Sequence, residues 1–414
     1  MRYRALFLPS GVGFAHTGRS ILLARELRLR GCQIRFAYGG PYARAIERAG
    51  FEHVAVAEVQ HDLFDASPLL KYQGELGRRC IDDEIRAIDR FDPHVIVSDL
   101  RPTSWISAAA TAKPLVVLKN AALCDDFDHG ALFVSPQESG DGALLRFARS
   151  IAQKVVQLRA LGLGDGLQRL AKSFLPKCPA RSLFDFFRGD LELVCDLPEF
   201  APLRESREDR RIIGPVIWDG GWENSENVNP GDQTGWIYVT AGNTGDPQLV
   251  QVAIEAFTDL AGIQVLISTG AYHVPEEFGN LPPNVHAYQF LHGGEAVARC
   301  ELAIHCGGDG STYQCLRAGT PMVVAPSTND QRVRSYLIRK NRVGVSILGG
   351  RPQVKGLRLA VRTALSRPEI QAGVRAFARR HYDGAAQGAE VIARWIANRT
   401  HIPVDRRKAL PELD

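Results

Sequence analysis

The stretch from Leu302 to Arg317 constrains the fold more than any other part of the chain. Apolar Leu302-Ala303-Ile304 runs into His305-Cys306-Gly307-Gly308-Asp309-Gly310, and Ser311 begins a segment that suits a helix through Arg317. Strand, glycine turn and helix start, in that order, make the ligand-holding corner of a βα unit. Glycines let the backbone approach a ligand, and the first N–H groups of a helix have no partner inside it. Such a terminus attracts anions, phosphate above all. Gly307, Gly308, Asp309, Gly310, Ser311 and Thr312 are therefore a predicted phosphate cradle, with Ser311 and Thr312 adding hydroxyl donors. Further on, Asp330 and Gln331 offer a carboxylate and an amide that suit sugar hydroxyls, with an N-cap role for the aspartate as the alternative. Phosphate and sugar together point to a nucleotide-sugar.

The same alternation runs along the rest of the chain. Ala5-Leu6-Phe7-Leu8 reads as a strand, Ser10 to Gly13 as a turn, Ile21 to Leu29 as a helix with Gly31 as its stop, and Ile34 to Tyr38 as the returning strand. This is a βαβ unit. Further strands are expected at Val95–Val97, Leu115–Leu118 and Leu191–Cys195, with a helix from Trp105 to Ala112. From Gly214 to about residue 235 the chain turns polar, as an exposed connection does. A second series follows: strands at Trp236–Val239, Val265–Ile267, Leu302–Ile304 and Met322–Ala325, a turn at Ala241-Gly242-Asn243-Thr244-Gly245, and helices at Val250–Leu260 and Gly388–Asn398. The expectation is α/β, with two Rossmann-like, doubly wound parallel sheets and a cleft between them.

A length of 414 residues suits two domains. The formal charge of +4 is too weak to argue for nucleic acid. No apolar run approaches the roughly 18 to 20 residues of a membrane span, and the N-terminus has no signal-peptide pattern, so a cytoplasmic location is the default. The eight cysteines form no Cys-x-x-Cys pair and read as reduced, mostly buried thiols rather than a disulfide or metal framework. Between Arg146 and Arg188, nine basic residues face two acidic ones, with apolar residues alongside. A solvated helical face is the plain reading; weak peripheral contact with a membrane, or an anionic acceptor, is the sharper one.

These residues resemble the inverting glycosyltransferases of the two-domain GT-B fold, in the UDP-glycosyltransferase (family 1-like) group. The likeness rests on Gly-Gly-x-Gly-Ser-Thr at 307–312, Tyr313-Gln314, Ala318-Gly319-Thr320-Pro321 and Asp330-Gln331. It rests also on Gly214-Pro215-Val216-Ile217-Trp218 and the turn Gly11-Val12-Gly13-Phe14-Ala15-His16. It implies an N-terminal acceptor domain over 1–213, a linker over 214–235 and a donor domain over 236–388. A C-terminal helix and tail over 389–414 would be able to return to the N-terminal domain.

The resemblance further implies that His16 is the general base, that Asp99 orients it, and that Gly13 lies at the donor. Asn243 and Thr244 match a second nucleotide loop, and His292 lies either at the nucleobase end or in a surface loop. The family's histidine directly before the Gly-Gly pair is replaced by Cys306; His305, one residue earlier, stands as a donor contact in its place, although alternation puts neighbouring strand residues on opposite sides.

The implied activity is transfer of a sugar from a UDP- or dTDP-sugar to a hydroxyl of a small hydrophobic, natural-product-like acceptor, with inversion. The donor is a co-substrate, and neither metal nor cofactor is expected. Acceptor loops are expected around 60–80 and 120–190. The alternatives are a UDP-sugar 2-epimerase, a transferase acting on a membrane lipid, and a non-catalytic binding partner.

Overall fold

The computed structural model describes residues 3–59, 71–129, 165–219, 225–226, 235–258, 260, 262–270, 274–347 and 351–400. Its contacts divide the chain into two units, residues 1–216 with 383–414, and residues 217–382.

The first unit opens with β1 (Arg4–Pro9), α1 (Phe14–Leu29), β2 (Gln33–Ala37), α2 (Ala43–Arg48) and β3 (Glu52–Val54). It continues with α3 (Gly74–Phe91), β4 (Val95–Asp99), α4 (Thr103–Ala110) and β5 (Leu115–Lys119). Helix α5 at 165–174, β6 (Leu191–Val194) and β7 (Arg210–Ile212) complete its first pass. The seven-stranded sheet runs β3-β2-β1-β4-β5-β6-β7, and every pairing in it is parallel. Strands β4 and β5 are buried along their whole length, which is why Val95–Val97 and Leu115–Leu118 within them read as apolar runs.

The second unit contains β8 (Ser225–Glu226), β9 (Trp236–Thr240), α6 (Gln248–Phe257), β10 (Gln264–Ser268) and β11 (Val285–Tyr288). Next come β12 (Phe290–Leu291), α7 (Gly293–Ala298), β13 (Leu302–His305), α8 (Asp309–Ala318), β14 (Met322–Val324) and α9 (Asn329–Lys340). β15 (Gly344–Ser346), α10 (Val354–Ser366) and α11 (Pro368–Ala378) close it. Its six-stranded parallel sheet has the order β11-β10-β9-β13-β14-β15, and β8 pairs with β12 apart from it. One face of the sheet packs Val239, Val265, Ile267, Ile304 and Val323 against α6 and α10.

The chain then returns to the first unit as α12 (Gly384–Thr400). This helix lies on α1, with Gly388 against Leu23 and Arg30 paired to Glu390 at 3.5 Å.

Each sheet reverses strand order once, between β1 and β4 in the first and between β9 and β13 in the second. At such a switch point the loops after the two central strands diverge to opposite faces and leave a crevice at the strands' carboxyl ends. His16 follows β1 and Asp99 ends β4; Asn243, Thr244 and the Gly307–Thr312 turn follow β9 and β13.

Two local expectations are corrected. The first helix begins at Phe14 rather than near Ile21, so His16 sits in a helical turn and not in the glycine loop. The reason is that Thr17, Arg19 and Ser20 are buried there, which breaks the apolar periodicity that would have shown the helix. Part of the expected 60–80 loop is helix, because α3 starts at Gly74. Residues 60–70 and 130–164, including the first half of the basic segment, lie outside the described residues. In its second half, Arg188 is ion-paired to Asp125 at 2.5 Å. No described helix is long and apolar enough to cross a membrane.

Candidate active site

In the first unit, Gly13 is the extended N-cap of α1 and His16 lies in the helix's first turn. The ring's Nδ1–H donates to Asp99 Oδ1 at 2.8 Å. Asp99 ends β4 and is wholly buried, while the histidine ring stays 17% exposed. The carboxylate accepts at Nδ1, so the lone pair is on Nε2, for which no hydrogen bond is found among the described residues. A buried carboxylate holding one tautomer of a partly exposed imidazole is the arrangement of a general base and its orienter.

Arg19, one turn further on α1, was not legible as a site residue. Its Nε and Nη2 both donate to Asp99, the latter at 2.6 Å to Oδ1, and its Nη1 donates to Asn120 Oδ1 at 2.5 Å. Burial alone would raise the Asp99 carboxyl, but Arg19 and then His16 hold it below the ordinary carboxylate range.

The preceding turn is braced from beneath. Gly11 N–H donates to Glu58 Oε2 at 3.0 Å, Ser10 Oγ meets Tyr72 Oη at 3.1 Å, and Arg101 links Glu58 to Glu84 at 2.5 and 2.6 Å. A Cβ on Gly11 would lie 2.9 Å from the Gly40 Cα, so the turns after β1 and β2 touch only because both are glycine there.

In the second unit, Gly307 has φ +92°, open to glycine, and Gly308 is the N-cap of α8. The first helical bond runs from Thr312 N to Gly308 O at 3.0 Å, so the N–H groups of Gly310 and Ser311 lie in the first turn, which has no acceptor inside the helix. Ser311 is half-buried and Gly310 exposed. Thr312 does not add a hydroxyl donor: it is buried, and its Oγ1 donates to Gly308 O at 2.8 Å. Asp309, whose charge would oppose an anion here, is ion-paired to buried Arg334 from α9.

His305 is 1% exposed and lies behind the turn; its Nδ1 accepts the Gly307 N–H at 3.0 Å. Burial pushes it down to about 3, so it is neutral. Here it supports the turn from behind. Cys306 fills the space between the two loops, with its Sγ 3.0 Å from where a Cβ on Gly245 would sit. Burial pushes its thiol up to about 11.

Gln331 is likewise held within the scaffold. It is 1% exposed and completes a capping box with Thr328, accepting from Ser327 N (2.8 Å) and Thr328 N (3.2 Å). Its amide nitrogen donates to the carbonyl and hydroxyl of Thr244 at 3.1 and 3.2 Å. A side chain so committed has no donor left for a sugar. Asp330 is exposed in the first turn of α9, where Thr328 is the N-cap. Asn243 is half-buried, its Oδ1 3.8 Å from where a Cβ on Gly270 would sit. His292 caps the short helix α7, half-buried, with Nδ1 3.5 Å from Asp219 O. Asp219 itself holds Arg317 of α8 in a two-pronged pair at 2.7 and 2.8 Å, so this piece of the expected linker is built into the second unit.

Two parallel doubly wound sheets with these loops are the architecture of the GT-B glycosyltransferases. The solved structure of CalG4, the calicheamicin glycosyltransferase, matches with a TM-score of 0.72 at 19% identity, over 97% of this chain and 100% of that one. The spinosyn rhamnosyltransferase SpnG, complexed with thymidine diphosphate, gives 0.64 at 15% identity, over 95% and 100%.

Residues 254–395 match the family model described as "Erythromycin biosynthesis protein CIII-like, C-terminal domain". A PGL/p-HBAD biosynthesis glycosyltransferase of Mycobacterium tuberculosis (strain ATCC 25177 / H37Ra) is 26% identical over 400 residues, covering 91% of this chain and 88% of the relative. Taken together, these likenesses support a GT1-like glycosyltransferase.

Proposed function

We propose that the protein transfers a sugar from a UDP- or dTDP-sugar to a hydroxyl of a small hydrophobic acceptor, with inversion at the anomeric carbon. The observation that carries this reading is the His16–Asp99 pair at 2.8 Å, with no hydrogen bond at the ring's Nε2 among the described residues. The acceptor's O–H proton passes to Nε2 while its oxygen bonds to the anomeric carbon; the bond from that carbon to the diphosphate breaks and the nucleotide leaves. Asp99 stays ionised and supports the imidazolium. The first-turn N–H groups of Gly310 and Ser311 offset the charge growing on the leaving diphosphate, with no metal in the scheme.

The thymidine diphosphate complex of SpnG supports a dTDP-sugar, and the names of calicheamicin, spinosyn and PGL/p-HBAD enzymes support a natural-product or glycolipid acceptor. Calorimetric titration with UDP, dTDP and GDP, repeated on Gly308→Trp, tests the donor half. One nucleotide should bind to the wild type and not to the variant. Binding of none would sink the reading. Free nucleotide released only with acceptor present supports transfer; an altered nucleotide-sugar formed without acceptor would mean an epimerase.

A further inference from the structure

Arg19 stands beside the proposed base with its planar fork on the carboxylate that orients that base. His16 and Arg19 are three residues apart on α1 and so lie side by side on one helix face. Both reach the same oxygen, Asp99 Oδ1, at 2.8 and 2.6 Å; Arg19 also takes Oδ2, and its Nη2 lies 3.4 Å from His16 Nδ1. Its third nitrogen is anchored on Asn120, which follows β5. Arginine, carboxylate and asparagine are all buried.

We propose that Arg19 is a positioning residue of the transfer reaction: it locks the Asp99 carboxylate in place for His16 and offsets its charge, so that the imidazole faces a neutralised anion. This rests on His16 being the base.

The physical reason lies in what a bare carboxylate would do. A buried, uncompensated aspartate beside a histidine either draws a proton onto the ring or takes one itself. In the first case the ring is already imidazolium and accepts nothing from the acceptor. In the second the orienting anion is lost. With Arg19 in place the buried carboxylate faces a guanidinium and stays ionised. The guanidinium's geometry matters as well as its charge, because two parallel N–H···O bonds fix the plane of the carboxylate.

Other groups around this end of α1 leave that balance intact. Tyr38, after β2, accepts from Thr17 at 3.1 Å, and the Tyr42 ring packs edge-on against Phe14. Glu58, after β3, is offset by Arg101 at 2.5 Å. On α12, Glu390 pairs with Arg30 beyond the far end of α1.

The test is an NMR titration of the His16 imidazole in the full-length protein, assigned by its loss in His16→Gln, together with the pH profile of kcat/KM. In Arg19→Gln, removal of the positive charge favours imidazolium. Relative to wild type, the titration and the acid limb should both move to higher pH, with donor KM unchanged. Arg19→Lys keeps the charge and loses the fork: the limb stays, and the plateau rate falls about tenfold.

An Arg19→Gln protein that folds and titrates like wild type would overturn the charge role. A lysine variant with a full plateau would overturn the positioning role, and this arm remains if the glutamine variant does not fold. The NMR arm needs no turnover. A titration that depends on Arg19 in a protein that glycosylates nothing would therefore fault the transferase reading alone.

Discussion

His305 accepts the backbone N–H of Gly307 through Nδ1, which assigns the ring's remaining proton to Nε2, a buried atom with no hydrogen-bond partner among the described residues. A neutral, buried histidine thus props a turn that has to hold φ +92°.

That burial has a pH signature. In the unfolded chain His305 titrates near the ordinary 6.5, and in the folded protein at about 3. Between those values the unfolded state binds the extra proton, so stability rises with pH through this window and is lost as pH falls from 6.5 towards 3. The slope from this one residue approaches about 1.4 kcal/mol per pH unit. Urea unfolding at pH 7, 6, 5 and 4 should show a steeper loss for wild type than for His305→Gln; parallel curves would contradict the assignment.

Replacing the proposed base should separate chemistry from binding. His16→Ala is expected to lower transfer by about 10²- to 10⁴-fold while nucleotide affinity in calorimetry stays within twofold. The ring's one hydrogen-bonded carboxylate belongs to the first unit and the predicted phosphate turn to the second. Unchanged turnover in the alanine variant would remove His16 from the mechanism.

Gln331 gives a prediction of the opposite kind. Its amide caps α9 and ties it to the Thr244 loop, so Gln331→Ala removes a cap and strands buried partners. The expected cost is about 1–3 kcal/mol of stability, read as a lowered thermal midpoint. A variant with wild-type stability and weakened donor binding would return Gln331 to the role of a sugar contact.

Cys306→His, which installs the residue the family usually carries before the Gly-Gly pair, should destabilise the protein by about 1–3 kcal/mol rather than improve donor binding. The thiol already lies against the Gly242–Gly245 loop, where even a methyl on Gly245 would collide with the Cys306 Cβ at 2.6 Å. Tighter nucleotide binding without loss of stability would show that the pocket has more room than the packing indicates.

What the sequence determined by itself was the local grammar. Leu302 to Ile304 reads as a buried strand, Gly307 and Gly308 as a turn, and the following residues as a helix start, because strand burial, positive φ and helix ends are set within a few residues. The alternation of such units was enough for two doubly wound sheets. The pairing of His16 with Asp99 came from the resemblance, because 83 positions separate the two residues.

The tertiary structure alone decided which polar side chains face a ligand and which hold the scaffold. Arg19, Arg334, Thr312 and Gln331 look like surface or site residues in the sequence, yet all are buried and satisfied by partners. No periodicity marks them, since a buried polar group is tolerated only through hydrogen bonds, and here the partners of Arg19 and Gln331 are brought close by the crossing of parallel strands.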